Sequence, residues 1–108
     1  MGKKNTLAKK NDISSQTNRS AKRHRVMFSV RVNAGSSVFL AGDFNGWDPY
    51  AKPMTDKKGE GVFTAVLLLL PGDYAYKFVI DGTWCVDPQC QLWAPNEYGT
   101  LNSIKHID

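Results

Sequence analysis

The stretch YAYKFVIDGTWCV, Tyr74–Val86, decides the fold. Asp81-Gly82 is a strong two-residue hairpin signal, because both central positions of such a turn need positive φ. With those residues at the turn, Ile80 pairs with Thr83, Val79 with Trp84 and Lys77 with Val86. Side chains alternate along a strand, so Tyr74, Tyr76, Phe78 and Ile80 share one face, which is the expected core face. Lys77, Val79 and Trp84 share the other. A lysine marks that face as the wet one, so Trp84 is expected to stand beside it in solvent.

The chain around this hairpin reads as further short strands separated by turns. VMFSVRV (Val26–Val32) alternates, with Phe28, Val30 and Val32 on one face. SVFLAG follows the turn-like NAGS. GDFNGWDP (Gly42–Pro49) is a surface bend built from Asn-Gly and Asp-Pro, yet it carries Trp47. A polar stretch leads to VFTAVLLLL, which Pro71-Gly72 ends, and LNSIKHI (Leu101–Ile107) is the last strand candidate. No useful length shows the 3.6 spacing of a helix. Short strands with turns every 8–12 residues predict an all-β fold, an immunoglobulin-like β-sandwich of about seven strands. Phe39, Phe63, Tyr74, Tyr76 and Phe78 are assigned to its core. Trp93 is read as a packing residue near the end of the sandwich.

At 108 residues the chain has room for one domain, and its net charge of +4 is unevenly spread. Up to Arg25 there are eight Lys or Arg against one acid; from Val26 onward there are six against nine. The domain, residues 26–108, is mildly acidic, and the positive charge sits in a tail of residues 1–25. That tail has only Met1, Leu7 and Ile13 as large apolar residues, too few to offset the entropy of ordering it, so disorder is expected. It has no apolar run of the secretory kind, and LLLL (Leu67–Leu70) is far too short to cross a bilayer, so a cytoplasmic protein is expected. MGKKNT fits the N-myristoylation pattern, a short one that often matches by chance. Lys22, Arg23 and Arg25 with His24 could touch nucleic acid or anionic lipid by charge, but a solvated arm is the favoured reading. Cys85 and Cys90 lack the spacing of a zinc site; reduced thiols are the default, with a disulfide across the bend confined to an oxidising compartment. No metal or cofactor is expected.

Two tryptophans placed outward on a small domain mark a binding surface. A protein partner would want aliphatic neighbours, and single-stranded nucleic acid would want aromatics interleaved with Lys and Arg. A glucopyranose ring has an apolar face of C–H groups and an equator of hydroxyls. Flat aromatic rings suit the first, and Lys, Asn or Thr suit the second. The hairpin supplies Trp84 beside Lys77, and NEYGTLNS supplies Tyr98, Thr100 and Asn102 around a Gly99 turn.

VFLAGDFNGWDP, LPGDYAYKFVIDGTW, VDP and NEYGTLNS occur here in one order over about 70 residues. In this the chain resembles the family-48 carbohydrate-binding modules. These include the glycogen-binding domain of the AMP-activated protein kinase beta subunit and the early-set sandwich domains of branching and debranching enzymes. The resemblance implies a sandwich that binds α-1,4-linked glucans without cleaving them. It implies a platform of Trp47 and Trp84, hydrogen bonds from Lys77, and a last loop giving Tyr98, Thr100 and Asn102. Tyr98 stands where the kinase-subunit pattern has leucine. Retention of both tryptophans and the lysine favours a working sugar site, with Trp47 displayed rather than capping the core.

Catalysis is disfavoured. Asp43, Asp48, Asp81 and Asp87 lie at turns beside Gly or Pro, where aspartate caps backbone groups. A glycosidase needs two carboxylates across a cleft, and neither a nucleophile triad nor a phosphate loop is present. The alternative function is a protein-interaction sandwich that docks onto a partner enzyme or kinase without binding sugar.

Overall fold

In the computed structural model residues 22–108 are described. Among the described residues seven strands form two antiparallel sheets facing each other as a β-sandwich: β1 (His24–Arg31), β2 (Val38–Gly42), β3 (Val62–Leu69), β4 (Gly72–Ile80), β5 (Thr83–Cys85), β6 (Trp93–Pro95) and β7 (Leu101–Ile107). β1 and β3 make a two-stranded sheet, and the other five run β2-β4-β7-β6 with β5 also on β4. Of the tail of residues 1–25, residues 1–21, and with them the myristoylation pattern, lie outside the described ones; His24 and Arg25, expected to be disordered, instead pair with the end of β3. β1 begins two residues ahead of Val26, with His24 opposite Leu69 and Arg25 opposite Leu68.

Alternation fixes which residues enter the core. Val26, Phe28 and Val30 point inward from β1 and face Leu67, Ala65 and Phe63 across the ladder. The LLLL run therefore splits: Leu69 is buried and Leu67 packs on the core, while Leu68 and Leu70 are exposed. From the larger sheet come Val38 and Leu40 of β2 and Tyr76 and Phe78 of β4, with Tyr74 and Ile80 packed at the margin. The Phe28 ring meets Tyr76 edge-on with centroids 5.0 Å apart, a favoured aromatic geometry.

β4 organises the larger sheet. β2 runs along one of its edges over Tyr76–Ile80. The opposite edge is shared: β7 pairs with Gly72–Tyr76 and β5 with Phe78–Ile80. Lys77 lies at the seam between them. The Asp81-Gly82 hairpin has the expected register, and both turn residues have positive φ, 49° and 83°. The ladder stops at Phe78–Cys85, so the expected Lys77–Val86 pair does not form within it.

Three core and surface expectations need correction. Val79 shares the face of Lys77 and Trp84 but is buried, because Phe39 and Trp84 flank it in register on either side. Phe39 belongs to that outer face rather than to the core, and packs edge-on against Tyr50. Its strand edge is covered by the loop after Trp47: Leu40 N–H donates to Lys52 O, and Met54 N–H to Val38 O. Trp93 lies on the edge strand β6 and is 47% exposed, outside the core cluster.

A polar knot on the inner side of the sheet joins β4, β7 and the segment after β5. Tyr76 Oη–H donates to Asp87 Oδ2 at 2.7 Å, and Asp87 N–H donates to the fully buried Ser103 Oγ at 2.8 Å. Burial, then the Asp87 carboxylate, pushes the Tyr76 phenol far above its ordinary value. Cys85 and Cys90 are both free thiols, and Cys90 Sγ–H points at Leu92 O and Ile104 O.

Candidate functional site

The outer face of β4 carries an open cleft of about 750 Å³. Three segments distant in sequence build it.

The first is the turn after β2. A one-turn 3₁₀ helix, Asp43–Asn45, is closed by Asn45: its Oδ1 accepts from Gly42 N–H and its Nδ2 donates to Leu40 O. Gly42 leaves no room for a side chain, since a Cβ there would lie 2.5 Å from Ala75 O and 2.7 Å from Phe44 Cζ. Gly46 then takes a left-handed conformation and so does Trp47, with φ of 61°. That conformation costs a residue with a Cβ on the order of 1 kcal/mol. Three contacts hold it: Trp47 N–H donates to Gly42 O, Trp47 Nε1–H donates to Asp43 Oδ1 at 3.0 Å, and its ring lies against Trp84. Asp43 is fixed in turn, its Oδ2 accepting from Ala75 N–H of β4 at 2.8 Å.

The second segment is the hairpin itself. Trp84 is 44% exposed, and its ring centroid lies 6.4 Å from that of half-buried Trp47, the planes opened by 35°. Lys77 rises from the seam of the sheet, and its Nζ donates to Thr100 Oγ1 at 3.1 Å.

The third is the loop between β6 and β7. Asn96 gathers it: its Oδ1 accepts from Tyr98 N–H and Thr100 N–H, and its Nδ2 donates to Thr100 Oγ1 and Asn102 Oδ1. Tyr98 stands at the tip, 81% exposed, its phenol pushed upward by hydrogen bonding to and the charge of Glu97.

All six sequence-predicted residues, Trp47, Lys77, Trp84, Tyr98, Thr100 and Asn102, line this one cleft. Asp43, Asn96 and Glu97 line it too, and the sequence reading had assigned them no role there. Asn96 opens the NEYGTLNS motif and Asp43 sits beside the Trp47 turn, so the motifs contained them, but their work depends on loop closure that only the structure shows. Trp93 is not part of the lining. Among the described residues no cluster of His, Cys, Asp or Glu is arranged to hold a metal ion, and no helix is long and apolar enough to cross a membrane.

Two half-open indole rings beside the polar groups of Lys77, Thr100 and Asn102 give the cleft a shape and chemistry suited to a ligand with an apolar face and a polar rim. Residues 24–108 match the family described as the glycogen recognition site of AMP-activated protein kinase, and the chain belongs to that family of carbohydrate-binding domains. The chain is 32% identical over 105 residues to the 5'-AMP-activated protein kinase subunit beta-1 of Sus scrofa, covering 97% of this chain and 81% of that sequence. It is 48% identical over 60 residues to the chloroplastic Protein PTST homolog 2 of Arabidopsis thaliana, covering 55% of this chain and 11% of the relative. To the subunit beta-2 of Homo sapiens it is 36% identical over 76 residues, covering 68% of this chain and 25% of the relative. The chain thus spans a small part of the plant protein and of the beta-2 subunit, and most of the pig sequence.

Proposed function

We propose that the domain binds α-1,4-linked glucans such as glycogen, starch and maltooligosaccharides, and does so without cleaving them. Trp47 and Trp84 take the C–H faces of consecutive glucose units. Lys77, Thr100 and Asn102 hydrogen-bond the hydroxyls, and Tyr98 packs against a ring at the loop tip. The observation that carries this reading is the convergence of three segments on one cleft, with the two indole rings 6.4 Å apart and splayed by 35°. Splayed rings suit a curved glucan better than a flat one. The use of Asp43 to hold Trp47 Nε1 and Ala75 N supports a non-catalytic role, because that carboxylate is engaged in positioning.

Three or four hydrogen bonds, each contributing about 0.5–1.5 kcal/mol net, with the stacking of two rings, suit a dissociation constant between micromolar and millimolar. Tryptophan fluorescence during titration with maltoheptaose tests it, with cellohexaose as the control. A saturable shift for the α-glucan alone is expected. Trp84→Ala removes most of the affinity and Lys77→Ala part of it; unchanged affinity in both variants would exclude this cleft. The second reading, a docking domain, rests on the kinase-subunit relatives. It becomes the leading one if no α-glucan produces a response.

A further inference from the structure

The cleft floor has a definite hydrogen-bond polarity, and one residue outside the assigned contacts sets it. Asn96 has its amide oxygen facing the backbone N–H groups of Tyr98, at 2.9 Å, and Thr100, at 3.2 Å. Backbone N–H groups only donate, so the orientation of this amide is fixed by chemistry. Its Nδ2 must then donate, and it does so to Thr100 Oγ1 at 2.7 Å and to Asn102 Oδ1 at 2.9 Å. Every donor and acceptor of the Asn96 side chain is used inside the loop, leaving nothing for a ligand.

The consequences pass to the neighbours. Thr100 Oγ1 accepts from Asn96 Nδ2 and from Lys77 Nζ, and both of these can only donate. A hydroxyl has two lone pairs, so with both taken its own proton is left to point elsewhere, and Thr100 can only donate to a ligand. Asn102 has its oxygen turned to Asn96, which leaves its amide protons for the cleft. Lys77 retains the ammonium protons not given to Thr100. All three groups meet the cleft as donors.

We propose that Asn96 is a positioning residue that fixes the floor of the cleft as a hydrogen-bond donor surface, so that sugar oxygens are read there as acceptors. This rests on the glucan reading for its ligand, but the polarity of the floor exists without one. A sugar hydroxyl accepting from the floor keeps its own proton for water or for the next glucose unit. The floor therefore selects for oxygen at the right place and tolerates loss of the hydroxyl proton.

The experiment has two arms. In the free protein, proton exchange of the side-chain amides is followed by NMR. Asn96 Nδ2 protons should exchange slowly and Asn102 Nδ2 protons rapidly, with the Asn102 protons becoming protected on addition of maltoheptaose. Equal, fast exchange at Asn96 overturns the proposal, and this arm needs no variant to fold. The second arm measures maltoheptaose affinity of Asn96→Asp across pH by calorimetry. One carboxylate oxygen still accepts from Tyr98 N–H and Thr100 N–H, so the loop is kept. The other can only accept, which draws the Thr100 proton inward and turns the Asn102 amide to show its oxygen. About tenfold weaker binding than wild type is expected at neutral pH. The deficit should shrink as pH falls through the titration of the new carboxyl, because its protonated form donates again. Wild-type affinity at neutral pH, or a deficit that stays constant with pH as a purely structural loss would give, refutes the proposal. If the exchange pattern holds but wild type does not bind maltoheptaose, the glucan reading falls and takes the acceptor assignment with it. If wild type binds while Asn96 exchanges freely, only the role of Asn96 is overturned.

Discussion

Replacing Asp43 with alanine tests how far the cleft depends on the hold on Trp47. The carboxylate joins two elements: Oδ1 accepts from Trp47 Nε1 at 3.0 Å and Oδ2 from Ala75 N–H at 2.8 Å. Hydrogen bonds to a charged group contribute about 1.5–3 kcal/mol each, but both of these are at solvent-exposed positions, so about 1 kcal/mol each is the fitting magnitude. The sum, roughly 2 kcal/mol, lowers Tm by about 8–16 °C in a domain of this size. Freed from Asp43, the indole must be ordered again on binding, at about 0.5–1.5 kcal/mol, so maltoheptaose affinity falls about twofold to twelvefold. Differential scanning calorimetry reads the first quantity and fluorescence titration the second. Asp43→Asn keeps one acceptor and sets its amide against the other donor, so it should recover about half of each loss. A lower Tm with glucan affinity unchanged would refute the claim that Asp43 orients Trp47 for ligand. An unchanged Tm would refute the bonds themselves.

Gly42→Ala places a methyl group 2.5 Å from Ala75 O and 2.9 Å from Tyr76 Cβ, and should cost about 3 kcal/mol in urea denaturation, with loss of less than 1 kcal/mol refuting the close approach. Tyr76→Phe strips the Asp87 carboxylate of its phenol donor and should destabilise by about 1–3 kcal/mol. In the wild type, ultraviolet titration should show Tyr76 still protonated when the exposed tyrosines have ionised. His106 lies between Asp73 and Asp108, and hydrogen bonding to Asp73, then to Asp108, raises its pKa above 6.5. Because the folded value is the higher one, the stabilisation is fully present below pH 6.5 and is lost as pH rises through the folded value. Tm measured from pH 5 to 9 should therefore fall across that window in wild type, and His106→Gln should remove that component of the decline.

Much of the sheet was legible because its residues obey a period of two. The Asp81-Gly82 turn fixed the register of β4 against β5, and Leu101–Ile107 coincides with its strand. Residues 49–56 follow no such period, and their path decides the points the sequence left hidden. Lys52 and Met54 hydrogen-bond along the free edge of β2, and Thr55 bridges to Thr64 of β3. This strap sews the two sheets together, brings Met54 into the core and sets Tyr50 on Phe39. Nothing in an isolated Val79 or Phe39 announces that neighbours will cover the outer face there. Trp93 has the opposite history: a large apolar side chain reads as core, but an edge strand at the margin of a five-stranded sheet has only two strands opposite it for cover. The cleft residues were legible as chemistry. The hold of Asp43 and Asn96 on them was not, since it arises from hydrogen bonds closed by left-handed turns.

The shared edge of β4 also sets an order of assembly. Gly42, Trp47, Lys77 and Trp84 precede the loop at residues 96–102, and that loop is anchored by β7, which completes the β4 edge beyond Lys77. A chain leaving the ribosome holds both indole rings and Lys77 before Thr100 and Asn102, the rest of the floor, have been added. The cleft is complete only once Leu101–Ile107 is paired with β4, so under the proposed glucan reading a bound oligosaccharide would act as a clasp on that strand.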